Sequence, residues 1–247
     1  MEWTRPPPFT AAVQVPPHLL SRLVYTNPVC LLVAEVPAAA ASSAAKKHNV
    51  MTISWLSALN NTGMCTISMN ARRFTASLPC AQPGGVFTLS VPVRGMEQLL
   101  KAIGACTGRE IDKLKTFGVE LCAPGWGTAD VDSPSERPAK RTRSKKELKR
   151  IACAAACAST RGCADCVAHM ICRTHTVQEI DGHRLIVCQI EFGFVRSEWW
   201  RDGKLLCPTR ADLPGTLTFF GSGEFSETRA TATATAAAAP VDSSSID

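Results

Sequence analysis

A mainly β fold with a few helices, built as one domain that carries a basic insertion and flanking low-complexity tails, is what the chain predicts, and three observations carry that expectation. Several runs alternate with a period of two and are rich in β-branched and aromatic residues, the pattern of half-buried strands. Turn residues that tolerate positive φ punctuate them, as at Asn60-Asn61-Thr62-Gly63 and Asp181-Gly182. The composition, 45% apolar over 247 residues, is enough for one sizeable core.

Residues 1–17 are proline-rich and predict no regular structure; His18 to Tyr25 predicts a short helix leading into the domain. Asn27-Pro28 opens the apolar run VCLLVAEV, short enough for a buried strand, and the Ala/Ser segment Pro37 to Ala45 returns as a loop. From His48 to Leu59, Asn49, Met51, Ile53 and Trp55 alternate with Val50, Thr52, Ser54 and Leu56. The chain then turns at Asn60 to Gly63 and runs back as Met64 to Met69. At the far end of this hairpin stand Ser68, Asn70, Arg73 and Thr75: hydroxyls, an amide and a guanidinium before a brief helix over Phe74 to Leu78, a donor set suited to an anion such as phosphate.

Gly84-Gly85 turns into the strand VFTLSVPV, and Met96, Leu99, Leu100 and Ile103 mark an amphipathic helix over Met96 to Cys106 that Gly104 weakens. Thr107-Gly108 breaks it before a turn over Arg109 to Lys115. From about 123 to 159 the composition shifts to Gly, Pro, Ser and charge and then to an Ala/Cys run, an insertion with Lys145 to Ala158 as a candidate helix. Beyond it, Cys166 to Gln178 and His183 to Phe194 predict a long hairpin, LTFFGSGEF predicts a closing strand segment, and residues 228–247 predict a disordered Ala/Thr/Ser tail.

The net charge of +6 is local, because Arg137 to Arg150 holds eight Lys or Arg against Glu147 and leaves the remainder at about −1. No aromatic residues interleave with this segment to stack bases, so a solvated insertion is favoured over a nucleic-acid contact. The twelve cysteines fall largely in apolar runs such as those of Cys30, Cys65 and Cys188, and predict reduced, buried thiols. Cys163 and Cys166 have metal-ligand spacing, but Cys153, Cys157, His169 and Cys172 supply only a loose second pair, so no metal is expected. With no apolar run of 18 residues and no signal-like N-terminus, the sequence predicts a cytoplasmic protein without a membrane partner. Ser-His-Asp order, paired carboxylates, a Walker loop and the dinucleotide fingerprint are all missing from it.

Three motifs together, NVMTISW at Asn49 to Trp55, SMNARRFT at Ser68 to Thr75 and TGREIDKL at Thr107 to Leu114, resemble the flavin reductase-like, FMN-binding split-barrel proteins, most closely the flavoredoxin-type branch. The resemblance covers roughly Asn27 to Leu121 and resumes at about Gly162 to Glu227, which makes 18–227 the domain with its insertion at about 123–159. It implies a Greek-key split β-barrel and FMN as cofactor. By the same resemblance Asn70, Arg73 and Thr75, with Ser68 beside them, take the phosphate; Asn70 stands where the family usually has Ser. Thr52 and Ser54, with the backbone near Asn49 and Met51, lie along the ribityl chain and pyrimidine, and Trp55 supplies an aromatic wall. Lys113 lies close to the flavin, where a cation stabilises charge on the reduced ring. His183, in D-G-H-R-L where the family has G-D-H-T-L, is the candidate catalytic residue, with no other catalytic group assigned. Phe219 or Phe220 faces the ring, with Phe220 taken as the contact.

The function so implied is an oxidoreductase that passes a hydride from NAD(P)H to FMN and electrons onward to flavin or a protein acceptor, as a homodimer. The nicotinamide nucleotide would bind over the flavin face, since no Rossmann fingerprint is present. Two rival readings are a non-catalytic FMN-binding electron carrier and, through Arg137 to Arg150, a nucleic-acid-binding protein.

Overall fold

The computed structural model describes residues 14–24, 27–40, 48–127, 145–201, 204–205 and 212–228. Most of the proline-rich N-terminus, of the Pro37 to Ala45 loop and of the basic segment, and nearly all of the 228–247 tail, lie outside the described residues.

Seven strands make the main sheet: β1 (Cys30–Glu35), β2 (His48–Ile53), β3 (Leu56–Ala58), β4 (Met64–Asn70), β5 (Val86–Val91), β6 (Ala168–Ile180) and β7 (His183–Val195). Their order is β2-β1-β5-β6-β7-β4-β3, and every neighbouring pair is antiparallel. β2 and β3 therefore lie at opposite edges of the sheet, yet Ser54 and Trp55 alone connect them. The three Cα steps from Ile53 to Leu56 reach at most about 11 Å. The two edges must consequently come together, and the sheet curls into a barrel. The Ser68 N–H donates to the Trp55 carbonyl at 2.8 Å across this junction.

Side chains of β1 are buried on both faces, which is why its sequence is a continuous apolar run. Cys30, Leu32 and Ala34 join Met51, Ile53, Ile67, Phe87, Leu89 and Ile186 inside the barrel. Leu31 and Val33 point the other way, into a second cluster with Val50, Leu100, Ile103, Cys163, Cys166 and Leu217. Leu100 and Ile103 are the buried face of helix α1 (Glu97–Ala105), so the predicted amphipathic helix covers the outside of β1 and β2.

Where a turn over Arg109 to Lys115 was expected, the chain forms a short helix, α2 (Lys113–Phe117). Asp112 caps it by accepting from the Leu114 and Lys115 N–H groups at 3.1 and 3.2 Å, and Gly118 ends it at φ 64°. Asp181 and Gly182, at φ 46° and 71°, make the two-residue turn between β6 and β7. The closing LTFFGSGEF segment is a second hairpin, β8 (Leu217–Gly221) and β9 (Glu224–Glu227), turning at Ser222 and Gly223. Within the insertion, α3 spans Lys145–Ser159, close to the expected Lys145 to Ala158. Among the described residues no helix is long and apolar enough to cross a membrane.

Candidate functional site

The β3–β4 turn sets the register of the site. Asn60 Oδ1 accepts from the N–H groups of Thr62 and Met64 at 2.9 and 3.0 Å, and Gly63 adopts φ 94°. β4 then alternates so that Cys65, Ile67 and Met69 enter the core while Thr66, Ser68 and Asn70 face away from it. Beyond β4, Asn70 Oδ1 accepts from the Arg72 N–H at 2.9 Å and the Arg73 N–H donates to the Asn70 carbonyl at 3.0 Å, which turns Arg72 and Arg73 beside the strand end.

Two hollows meet there. The larger, about 560 Å³, is lined by Asn49, Met51, Asn70, Arg72, Arg73, Phe74, Thr75, Lys113 and the Ala105 to Gly108 corner. A smaller one of about 200 Å³ is lined by Thr52, Ser54, Trp55, Ser68 and His183. They share Met51, Asn70 and Arg73 and so adjoin. Eleven of the twelve residues expected at the site, drawn from β2, the Ser54-Trp55 connection, β4, the segment after it, α2 and β7, line one hollow or both.

Phe220 is the exception. It is 41% exposed on β8 and lines neither hollow, while Phe219 turns inward to the second core cluster and lies 5.3 Å from the Phe225 ring. Alternation along β8 points one phenylalanine to each side.

The larger hollow is electropositive for a structural reason. Arg73 Nη1 donates to the Gly104 carbonyl and Lys113 Nζ to the Ile103 carbonyl, both at 2.8 Å. These are carbonyls of the last turn of α1, where the helix dipole is negative and cations are held favourably. Lys113 is only 4% exposed. Arg72 adds a third cation and Glu110 a single carboxylate to the same wall. Arg109 stands to one side, its guanidinium 5.6 Å from the Phe74 ring centre.

Asn49 Nδ2 donates to Thr75 Oγ1 at 3.0 Å, while Asn49 Oδ1 is buried with no hydrogen-bond partner among the described residues. A buried amide oxygen left in this state costs about 1–3 kcal/mol unless a donor reaches it. Thr52, expected to face a ligand through its hydroxyl, donates it instead to the Leu100 carbonyl at 2.7 Å and ties β2 to α1. At the smaller hollow the rings of Trp55 and His183 are 5.4 Å apart and tilted by 30°, and Trp55 is 38% exposed. β7 pairs with β4 so that His183 stands opposite Asn70.

Sequence reasoning did not select Arg72, Phe74, Cys106, Gly108, Glu110 or Ile111, which line the larger hollow. All but Cys106 lie within the SMNARRFT and TGREIDKL motifs, so motif membership was the available signal. Cys163 and Cys166 are buried in the second core cluster, and among the described residues no three His, Cys, Asp or Glu side chains are arranged to hold a metal.

No protein-family model and no curated protein matches the chain. Solved structures do. The FMN-binding protein of Thermus thermophilus with bound 1-cyclohex-2-enone matches with a TM-score of 0.56 at 15% identity, over 90% of this chain and 96% of that one. Flavoredoxin from Methanosarcina acetivorans matches with a TM-score of 0.55 at 18% identity, over 92% and 97%. The NADH:FAD oxidoreductase SgcE6 of Streptomyces globisporus matches with a TM-score of 0.54 at 15% identity, over 90% and 100%. The chain thus has the fold of the flavin reductase-like, FMN-binding split-barrel proteins, flavoredoxins included.

Proposed function

We propose that the protein is an FMN-binding oxidoreductase that takes a hydride from NAD(P)H and passes electrons to flavin or a protein acceptor. The observation that carries this reading is the pair of adjoining hollows, with Arg72, Arg73 and Lys113 in one and the Trp55–His183 ring pair in the other, on a split-barrel fold.

The residues suit the cofactor on three counts. The guanidinium groups of Arg72 and Arg73 and the backbone of the loop after β4 suit a phosphate dianion. Among the described residues Asn49 Oδ1 has no partner, and it is matched to a ligand donor such as a ribityl hydroxyl or a ring N–H. Trp55, 38% exposed, offers apolar surface to a flat ring. FMN would supply the hydride-accepting chemistry that the side chains lining these hollows do not possess.

The protein's own work is positioning and electrostatics. Lys113, fixed by the Ile103 carbonyl in a buried wall, keeps a positive charge where negative charge on a ligand would otherwise be costly. Trp55 and His183 flank the more open hollow, where a nicotinamide ring would approach. The proposal includes a homodimer and a cytoplasmic location. The likeness to the NADH:FAD oxidoreductase SgcE6 supports the reductase, and the likeness to flavoredoxin supports its rival, a carrier without nucleotide activity.

An absorbance spectrum of the purified protein tests the reading, recorded as isolated, after FMN, and after NADH or NADPH without oxygen. Bound FMN that bleaches on adding a nucleotide is the expected result. Bound FMN that stays oxidised with both would favour the carrier, and failure to retain FMN would refute the reading altogether.

A further inference from the structure

The eleven described cysteines are all free, and one group among them is organised. Cys65 on β4 and Cys188 on β7 stand directly opposite each other in the antiparallel ladder, and their Sγ atoms are 3.2 Å apart. An S–S bond is about 2.0 Å long, so closing the gap needs a shift of roughly an ångström, within side-chain torsions. Cys172 on β6 belongs to the same core cluster, its Sγ donating to the Met170 carbonyl at 3.7 Å, so three adjacent strands each place a thiol in the barrel interior.

The three are not equivalent. Cys65 is 4% exposed, against 0% for Cys172 and Cys188. The neighbouring Cys172 and Cys188 thiols outweigh burial and draw the Cys65 thiol below its ordinary range. Of the three, Cys65 alone reaches any solvent and is taken as the thiol that meets the oxidant, and Cys188, with its Sγ 3.2 Å away, is placed to resolve it.

We propose that Cys65 and Cys188 are a peroxide-sensitive dithiol that closes to a cross-strand disulfide. In the first step the Cys65 thiolate attacks hydrogen peroxide: an S–O bond forms, the O–O bond breaks, and the departing hydroxide takes a proton to leave as water. In the second, Cys188 sulfur displaces hydroxide from the Cys65 sulfenic acid, the S–S bond forms, and the Cys188 proton leaves with that hydroxide as a second water. Two thiols are oxidised by two electrons and one peroxide is reduced. The bridge would join the same two strands that carry Asn70 and His183, five register steps away.

The test uses the full chain, reduced, treated with hydrogen peroxide, denatured in acid and alkylated. Of its twelve cysteines two should escape alkylation, and a digest should contain a peptide pair joining Cys65 to Cys188 that separates on reduction. Alkylation of all twelve, or a cross-link joining any other pair, would overturn the proposal. Cys188→Ser should leave Cys65 as a sulfenic acid that dimedone traps. Should that variant fail to fold, the wild-type peptide map still decides.

Discussion

Two glycines four residues apart should respond to the same substitution with opposite signs. At Gly108 an added Cβ would lie 2.0 Å from Asn49 Oδ1 and 2.8 Å from Phe74 Cδ1, both in the wall of the larger hollow. Neither neighbour yields easily, since both are buried and Asn49 is held by its 3.0 Å bond to Thr75. Overpacking of this kind costs about 1–3 kcal/mol, and losing the Asn49–Thr75 bond adds about 1 kcal/mol. At Gly104, in α1, the Cβ would meet only Thr52 at 3.8 Å, an ordinary contact, while alanine restores helix propensity worth roughly 0.5–1 kcal/mol. With about 2–4 °C per kcal/mol for a chain of this size, the Tm values of Gly108→Ala and Gly104→Ala should lie roughly 5–20 °C apart, the latter above the parent. Calorimetry of the three proteins measures this, and an FMN titration of Gly108→Ala should show weakened binding because Asn49 is displaced. Parental stability and FMN affinity in Gly108→Ala would refute the packing of the Thr107-Gly108 corner against Asn49.

Arg73→Ala removes a charge-assisted contact worth roughly 1.5–3 kcal/mol and should raise the FMN Kd by about 10- to 100-fold in a fluorescence titration; an unchanged Kd would show that the anion lies elsewhere. Lys113→Met leaves the Ile103 carbonyl without its 2.8 Å donor, so urea unfolding of the apoprotein should show a loss of about 1–3 kcal/mol. In the FMN-loaded variant the flavin midpoint potential should fall, which spectroelectrochemistry reads. Asp112→Ala should cost about 1 kcal/mol through the lost cap of α2 in the same urea assay. His169 donates from Nε2 to the Cys163 carbonyl at 2.9 Å and accepts the Gly125 N–H at Nδ1 at 3.3 Å, and burial holds its pKa below the ordinary 6.5. The unfolded chain then binds the proton more readily, so stability from this residue is full above about pH 6.5 and is lost as pH falls through the lower folded value. His169→Gln should flatten that acid-side slope in unfolding curves at pH 5 and 7.

The smaller details of the site divide by distance along the chain. Asn70, Arg72 and Arg73 sit together because a strand end and an Asx turn are local, and turn chemistry is readable from a few adjacent residues. Thr52 shows the limit of period alone: alternation separates its face from that of Met51, but which partner its hydroxyl meets depends on where α1 docks. The turn expected at Arg109 to Lys115 became α2 because Asp112 and Gly118 bound a helix too short for an apolar period to announce it.

By itself the sequence determined the strand runs, the turns at Asn60 to Gly63 and Asp181-Gly182, the amphipathic face of α1, and, through three motifs, most of the residues lining the two hollows. Only the tertiary structure decided that Lys113 and Arg73 share the last carbonyls of α1, that His183 stands opposite Asn70 beside Trp55, that Phe220 faces away, and that Cys65 meets Cys188. These pairs are joined by a register that closes across the whole barrel. A one-residue slip would reverse every facing side chain, and the burial of one complete face, rather than any short stretch of chain, selects the register that is kept.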